Sequence, residues 1–199
     1  MSDLEWFFRN PRDAPDPSKE RFSQLYLVRR DIDTCFGNDP TTGERIASEA
    51  IWAGTMAVLA AIDLLGKFLA GTDKTPVRQR FTDFVVRYFG LSNRNEAYLI
   101  YQLRNSLLHS FGLYSETSDK KGNVTAVYNF VLTRGPNTLI IPSGNNFYKV
   151  DVQCLRERFE KSVAEYEAEL RDTSRSDHQD LNKNFNLMFP KHAKPMIVS

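Results

Sequence analysis

One apolar run, Ala50 to Ile62, constrains the fold more than any other feature: 13 residues without a charge, closed off by Asp63 and Lys67. It falls well short of the roughly 20 apolar residues that cross a bilayer. The run therefore predicts a buried helix around which other elements pack, with no membrane as a partner. Apolar side chains crowd every side of it between Ala53 and Ile62, as in a central element. Thr41 and Glu44 have the spacing of a capping box, so the helix is expected to start there and run to about Ala70, with Gly71 as its stop.

Periodicity places the neighbours. Leu25, Val28, Ile32 and Phe36 recur at three- and four-residue steps and predict a helix that starts after Ser18 and breaks at Gly37 to Gly43. Thr75-Pro76 opens a third helix with the stripe Val77, Phe81, Phe84, Val85 and Tyr88, ended by Gly90. A fourth begins near Asn93 to Glu96, carries Ile100, Leu103, Leu107 and Phe111 on its core side, and stops at Gly112. After a polar loop from Ser115 to Asn123 the pattern turns β-branched and aromatic. Val124 to Thr133, a turn at Arg134-Gly135-Pro136-Asn137 and the run Thr138 to Ile141 predict a hairpin, and Gly144-Asn145-Asn146 leads to a short third strand at Phe147 to Val150. The last helix, about 151 to 171, shows Val152, Leu155, Phe159, Val163, Tyr166 and Leu170 on one face.

The expected fold is mainly α: a bundle of about five helices with a β-hairpin, about 124–150, inserted before the last one. Its 199 residues suffice for one good core. Residues 1–17, with Pro11, Pro15 and Pro17, are expected to be an extended arm. Residues 18–171 form the helical domain, and 172–199 a polar, aperiodic tail with a small apolar patch at Leu187, Met188 and Phe189.

Several chemistries drop out. Cys35 and Cys154 stand alone, with neither disulfide nor zinc spacing, and the first residues lack a basic start and an apolar run, so a cytoplasmic location is expected. His178 and His192 have no third ligand at metal spacing, so no metal and no cofactor is expected. No phosphate-cradling glycine loop, serine elbow or carboxylate pair stands out. Charge is uneven, however: between residues 67 and 109, Lys67, Lys74, Arg78, Arg80, Arg87, Arg94 and Arg104 face only Asp73, Asp83 and Glu96, a local net +4 favourable to a phosphate backbone.

The fourth helix carries the residues best suited to chemistry. At about 100° per residue, Tyr98, Gln102, Asn105 and His109 fall together opposite the core stripe. Asn105 and His109, four apart, are surface neighbours. An imidazole there can exchange a proton near neutral pH. Arg104 adds a permanent charge that grips phosphate with two hydrogen bonds. Five residues of ideal helix separate Arg104 from His109 by about 140°, so the arginine must wrap round, the helix must distort, or a second copy of the chain must complete the site. Tyr98, Gln102, Arg80 and Arg87 are the expected substrate-binding residues. On residue chemistry alone, a histidine and an arginine on a helix are far more often structural than catalytic, and spacing by itself does not make an enzyme.

The segment Arg104-Asn105-Ser106-Leu107-Leu108-His109, an arginine followed by a polar residue and, after four intervening positions, a histidine late in a helix, resembles the HEPN superfamily. The resemblance covers roughly residues 18 to 112 and the final helix. It implies a helical bundle, a homodimer, and a metal-independent endoribonuclease of toxin–antitoxin, antiphage or RNA-processing systems, with RNA as substrate and an antitoxin or other protein as a further partner. It makes Arg104 and His109 the catalytic pair and Asn105 the polar residue that accompanies them. Ser110 and Phe111 follow the histidine, where the toxins paired with a small nucleotidyltransferase place any residue and then tyrosine, and the hairpin is an addition to the family pattern. Two other readings stay open: a non-catalytic RNA- or nucleotide-binding bundle, and a structural or protein-interaction module.

Overall fold

The computed structural model describes residues 1–13, 21–46, 49–91, 93–135, 137–193 and 196–197. The apolar run becomes α3 (Ile51–Ala70), closed by Gly71 in the left-handed conformation. It packs against α2 (Gln24–Cys35), α4 (Val77–Tyr88), α5 (Arg94–Ser110), α6 (Val152–Arg171) and α7 (His178–His192). By length and composition α3 could cross a bilayer, yet half of it is buried inside the bundle, as expected of a core helix. Its start is ten residues later than the capping-box spacing predicts. Asp39 Oδ1 accepts from the amides of Thr41 and Thr42 at 2.8 and 2.7 Å, and this carboxylate-centred turn outcompetes helix initiation.

Both chain ends depart from the expected arm and tail. α1 (Asp3–Phe8) is opened by a capping box between Ser2 and Glu5. It buries Phe7 and Phe8 completely or nearly so, worth about 2 kcal/mol each in transfer from water. Phe7 packs on Phe68 of α3 and Phe185 of α7, and Ser23, which caps α2, donates its hydroxyl to the Phe7 carbonyl at 2.8 Å. The expected start after Ser18 lies outside the described residues. In α7, Leu181, Phe185 and Met188 are buried at i, i+4 and i+7, whereas Leu187 is exposed. A two-residue strand β1 (Arg21–Phe22) pairs with β6 (Met196–Ile197).

The β region is larger than a hairpin. β2 (Tyr114–Ser118), β3 (Val124–Thr133), β4 (Ile140–Pro142) and β5 (Phe147–Asp151) form a mixed sheet in the order β2-β3-β5-β4. The expected pairing of β3 with β4 is replaced: β3 runs antiparallel to β2 and parallel to β5, which separates it from β4. The segment read as a polar loop supplies β2. Asp119 builds its tight turn by accepting from the amides of Lys121 and Asn123. Only Ser115 of β2 is fully buried, so no apolar alternation marks the strand. Pro136, in the expected turn, lies outside the described residues. At the other end Asp151, buried, caps α6 through the amides of Gln153 and Cys154 and accepts from Gly135 as well.

Two glycines let α3 sit close to its neighbours. A Cβ on Gly54 would meet the Phe36 ring at 2.7 Å, and one on Gly66 would meet the Arg80 carbonyl oxygen at 2.8 Å. The second contact is with backbone, which cannot swing away. Gly66→Ala is therefore expected to destabilise the protein by about 1–3 kcal/mol through overpacking, read from urea unfolding. An unchanged midpoint would show that α3 and α4 can separate freely.

Candidate functional site

The centre of the site is a carboxylate that ends the apolar run in sequence but lies inside α3. Asp63 receives Arg80 Nε on Oδ1 at 3.1 Å, from α4, and Arg104 Nη2 on Oδ2 at 2.9 Å, from α5. Its side chain is 14% exposed, that of Arg80 7% and that of Arg104 11%. Arg80 Nη1 also donates to the Thr75 carbonyl at 3.1 Å. Buried ions must be paired, and here one carboxylate holds two guanidiniums, a local excess of one positive charge.

That excess is turned outward through one nitrogen. Arg104 Nη1 donates to His109 Nε2 at 2.6 Å and lies 3.3 Å from Asn105 Oδ1. The long arginine side chain thus bridges the angular gap between positions 104 and 109 within a single chain. A guanidinium can only donate, so the imidazole is the accepting partner in this contact, at Nε2. Arg104 Nε is buried without a partner, so Nη1 carries the contacts with Asn105 and with the exposed His109.

α5 stops one residue after His109. Phe111 takes the left-handed conformation at φ 46°, its amide and that of Gly112 closing on the Ser106 carbonyl. The terminator is Phe111 itself, ahead of the predicted Gly112. His109 is left exposed at the helix end, in the wall of a cleft of about 490 Å³ that it shares with Tyr101, Asn105, Ser110 and the strand β2 residues Tyr114 to Glu116. The cleft holds one carboxylate, Glu116, which accepts from the Tyr114 hydroxyl at 2.7 Å and thereby pushes the phenol's pKa up.

The predicted residues divide. Arg104, Asn105 and His109 come together. Gln102 does not join them: it is 2% exposed, faces β2, and accepts from the Ser115 hydroxyl at 2.7 Å. Tyr101 takes its place at the four-residue step before Asn105. Tyr98 lines a separate cleft with Arg78 and Arg94. Arg80 is consumed by Asp63. Arg87 donates to Glu169 and Asp177, both at 2.7 Å, and with Arg175 it holds the Asp177 carboxyl far below the usual carboxylate range.

The basic window is accordingly much less available than its count suggests. Lys67 pairs with Asp73 and Arg94 with Asp83, so five of the seven cations are committed. Among the described residues only Lys74 and Arg78 of that window lack a carboxylate partner. Three of the neutralising acids, Asp63, Glu169 and Asp177, lie outside the window, which is why a local charge count misses them. His192 is held against Asp73 at 3.1 Å, and among the described residues no three His, Cys, Asp or Glu side chains converge as metal ligands would.

Asp63 and Tyr101 are site residues that helical spacing and motif alone do not single out. The usable signal for Asp63 was a lone acid following an apolar run, since such a group survives burial only with a cationic partner. Asp63→Asn is expected to cost about 3 kcal/mol of stability, because it leaves two buried guanidiniums sharing a neutral amide. Urea titration of the variant beside the parent tests this, and a difference within error would mean that neither arginine depends on the acid.

No model of a known protein family matches the chain, and neither a curated protein nor a solved structure matches it.

Proposed function

We propose that the protein is a metal-independent endoribonuclease of the HEPN type, cleaving RNA by attack of a ribose 2′-hydroxyl on the adjacent phosphate. The observation that carries this reading is the 2.6 Å contact between Arg104 Nη1 and Nε2 of His109, which stands exposed in the wall of an open cleft, with the arginine anchored from behind by Asp63. A mainly helical fold with the Arg104-to-His109 segment late in a helix agrees with the resemblance.

Each group has a task. A phosphate oxygen entering the cleft competes for Nη1, and when it takes that donor the Nε2 lone pair is released. The freed imidazole then removes the proton of the 2′-hydroxyl as that oxygen attacks phosphorus. The guanidinium stabilises the charge that grows on the phosphoryl oxygens, and the bond to the 5′ oxygen breaks to leave a cyclic phosphate end. Asn105, beside Nη1, positions the phosphate. Protonation of the 5′ oxygen needs an acid, and in a homodimer whose α5 helices line one cleft the second His109, entering as the imidazolium with its Nε2–H turned from Arg104 to the leaving oxygen, supplies that proton. A toxin–antitoxin or antiphage setting, with an antitoxin or another protein as regulator, follows from the same resemblance.

One observation favours a second reading. Arg104 is only 11% exposed and its Nη2 is held inside the bundle by Asp63, as in a fold-supporting ion pair of a non-catalytic RNA-binding or protein-interaction module.

Incubation of the purified protein with single-stranded RNA and excess chelator separates the two. Cleavage that leaves 2′,3′-cyclic ends, spares DNA of the same sequence and falls by about 100-fold or more in His109→Ala and in Arg104→Ala is expected of the nuclease. Cleavage that needs added divalent metal, or that persists at the parental rate in His109→Ala, would remove it.

A further inference from the structure

Two clefts flank a pair of tyrosines on α5. Tyr101 stands in the wall of the His109 cleft, and Tyr98, one turn earlier, stands in the wall of a cleft of about 360 Å³ with Arg78, Gln79, Thr82, Arg94 and Asn95. Their rings are 6.2 Å apart and inclined by 30°, and Tyr128 of β3 meets Tyr98 at 6.2 Å, edge to face. All three are half-buried, so each is fixed by packing while part of its ring stays open to solvent. None of these rings is needed for the phosphoryl chemistry described above.

We propose that Tyr98, Tyr101 and Tyr128 form a stacking track that seats unpaired bases of a single-stranded RNA and leads the strand from the Arg78 cleft to the His109 cleft. Bases offer a π face that any aromatic ring can cover, and the strand's phosphates need cations at intervals. Both are present: Arg78 is exposed and has no carboxylate partner among the described residues at one end, and at the other Arg104 Nη1 lies directly behind the exposed His109 at 2.6 Å. The rings are locked, so little side-chain freedom is lost when a base lands on them. A duplex keeps its bases stacked inside and offers nothing for these rings to cover. Because a ring reads the face of a base and not its edge, the track is tolerant of sequence. The placement of the scissile phosphate beside His109 rests on the nuclease reading; the binding of unpaired bases does not.

The test uses the full chain and a fluorescein-labelled 2′-O-methyl oligouridine of about 12 nucleotides, which has no 2′-hydroxyl to attack and stays intact whether or not the protein cuts. Anisotropy titrations are expected to show Tyr98→Ala and Tyr101→Ala each weakening binding by about 10-fold. Tyr98→Phe and Tyr101→Phe, which keep the ring, should stay within about twofold of the parent, and weak binding to a duplex of the same length should not change. Should an alanine variant fail to fold by circular dichroism, Tyr98→Leu and Tyr101→Leu keep the bulk without the π face and are read in the same way. Alanine or leucine variants that bind as the parent does, phenylalanine variants that lose as much, or a parent that does not bind the oligouridine would each overturn the track. Cleavage of RNA by a parent whose binding ignores the rings leaves the nuclease and removes the track. Ring-dependent binding without cleavage does the reverse.

Discussion

A single largely buried carboxylate fixes both the bundle and its cleft. Asp63 sits between guanidiniums from the two helices that follow it, so α3, α4 and α5 share one electrostatic joint. Removing two cations and an anion from water is costly, and the net contribution of such a cluster to stability is small or negative. Its effect is geometric. Arg80 can reach Asp63 from α4 because Gly66, one turn along α3, lets the Arg80 backbone come within contact distance. Arg104, held by Nη2, can aim only Nη1 outward, toward Asn105 and His109. The alignment of an arginine and an imidazole on the surface is thus set by an acid and a glycine that never touch solvent freely.

What the sequence discloses follows the range of the interactions involved. Helices α2, α4, α5 and α6 are legible because their apolar stripes are local, and the end of α3 is legible because its stop, Gly71, acts within one turn. The Arg104-to-His109 segment is legible for the same reason. Helical angles alone put those two residues about 140° apart, yet the answer depends on side-chain reach and on an anchor 41 positions earlier. Gln102 misleads in the opposite sense. Its angle groups it with Asn105 and His109, but Ser115 of β2 offers it a buried hydrogen bond, and β2 itself is hidden because its residues are polar on both sides.

The two ends of the chain make a related point about composition. Phe7 and Phe8 lie in a proline-flanked segment, and Leu181, Phe185 and Met188 lie among asparagines, lysines and a histidine, with Pro190 in the same helix. Neither stretch forms a convincing helix on intrinsic preference. Each is stabilised by the other and by Phe68, since rings at 4.5 to 5.5 Å bury more apolar surface together than either segment could alone. Tertiary burial decides these helices, and it is invisible to a window sliding along the sequence.

The resting contact between Arg104 and His109 also bears on how such a site is regulated. With Nη1 donating to Nε2, the imidazole lone pair is occupied, and the ring cannot accept a proton from anything else at that nitrogen. An anion that takes Nη1 changes two things at once, because it gains a cation already desolvated by Asp63 and it unmasks the base. On the proposed reading, binding and activation of the base are therefore one event, and an empty cleft is chemically quiet without any lid. The sign of the local charge makes this possible. Two guanidiniums against one carboxylate leave one excess positive charge at the anchor, set against the exposed Glu116 in the cleft, whereas a second acid on α3 facing the same arginines would neutralise it and leave Arg104 a purely structural residue.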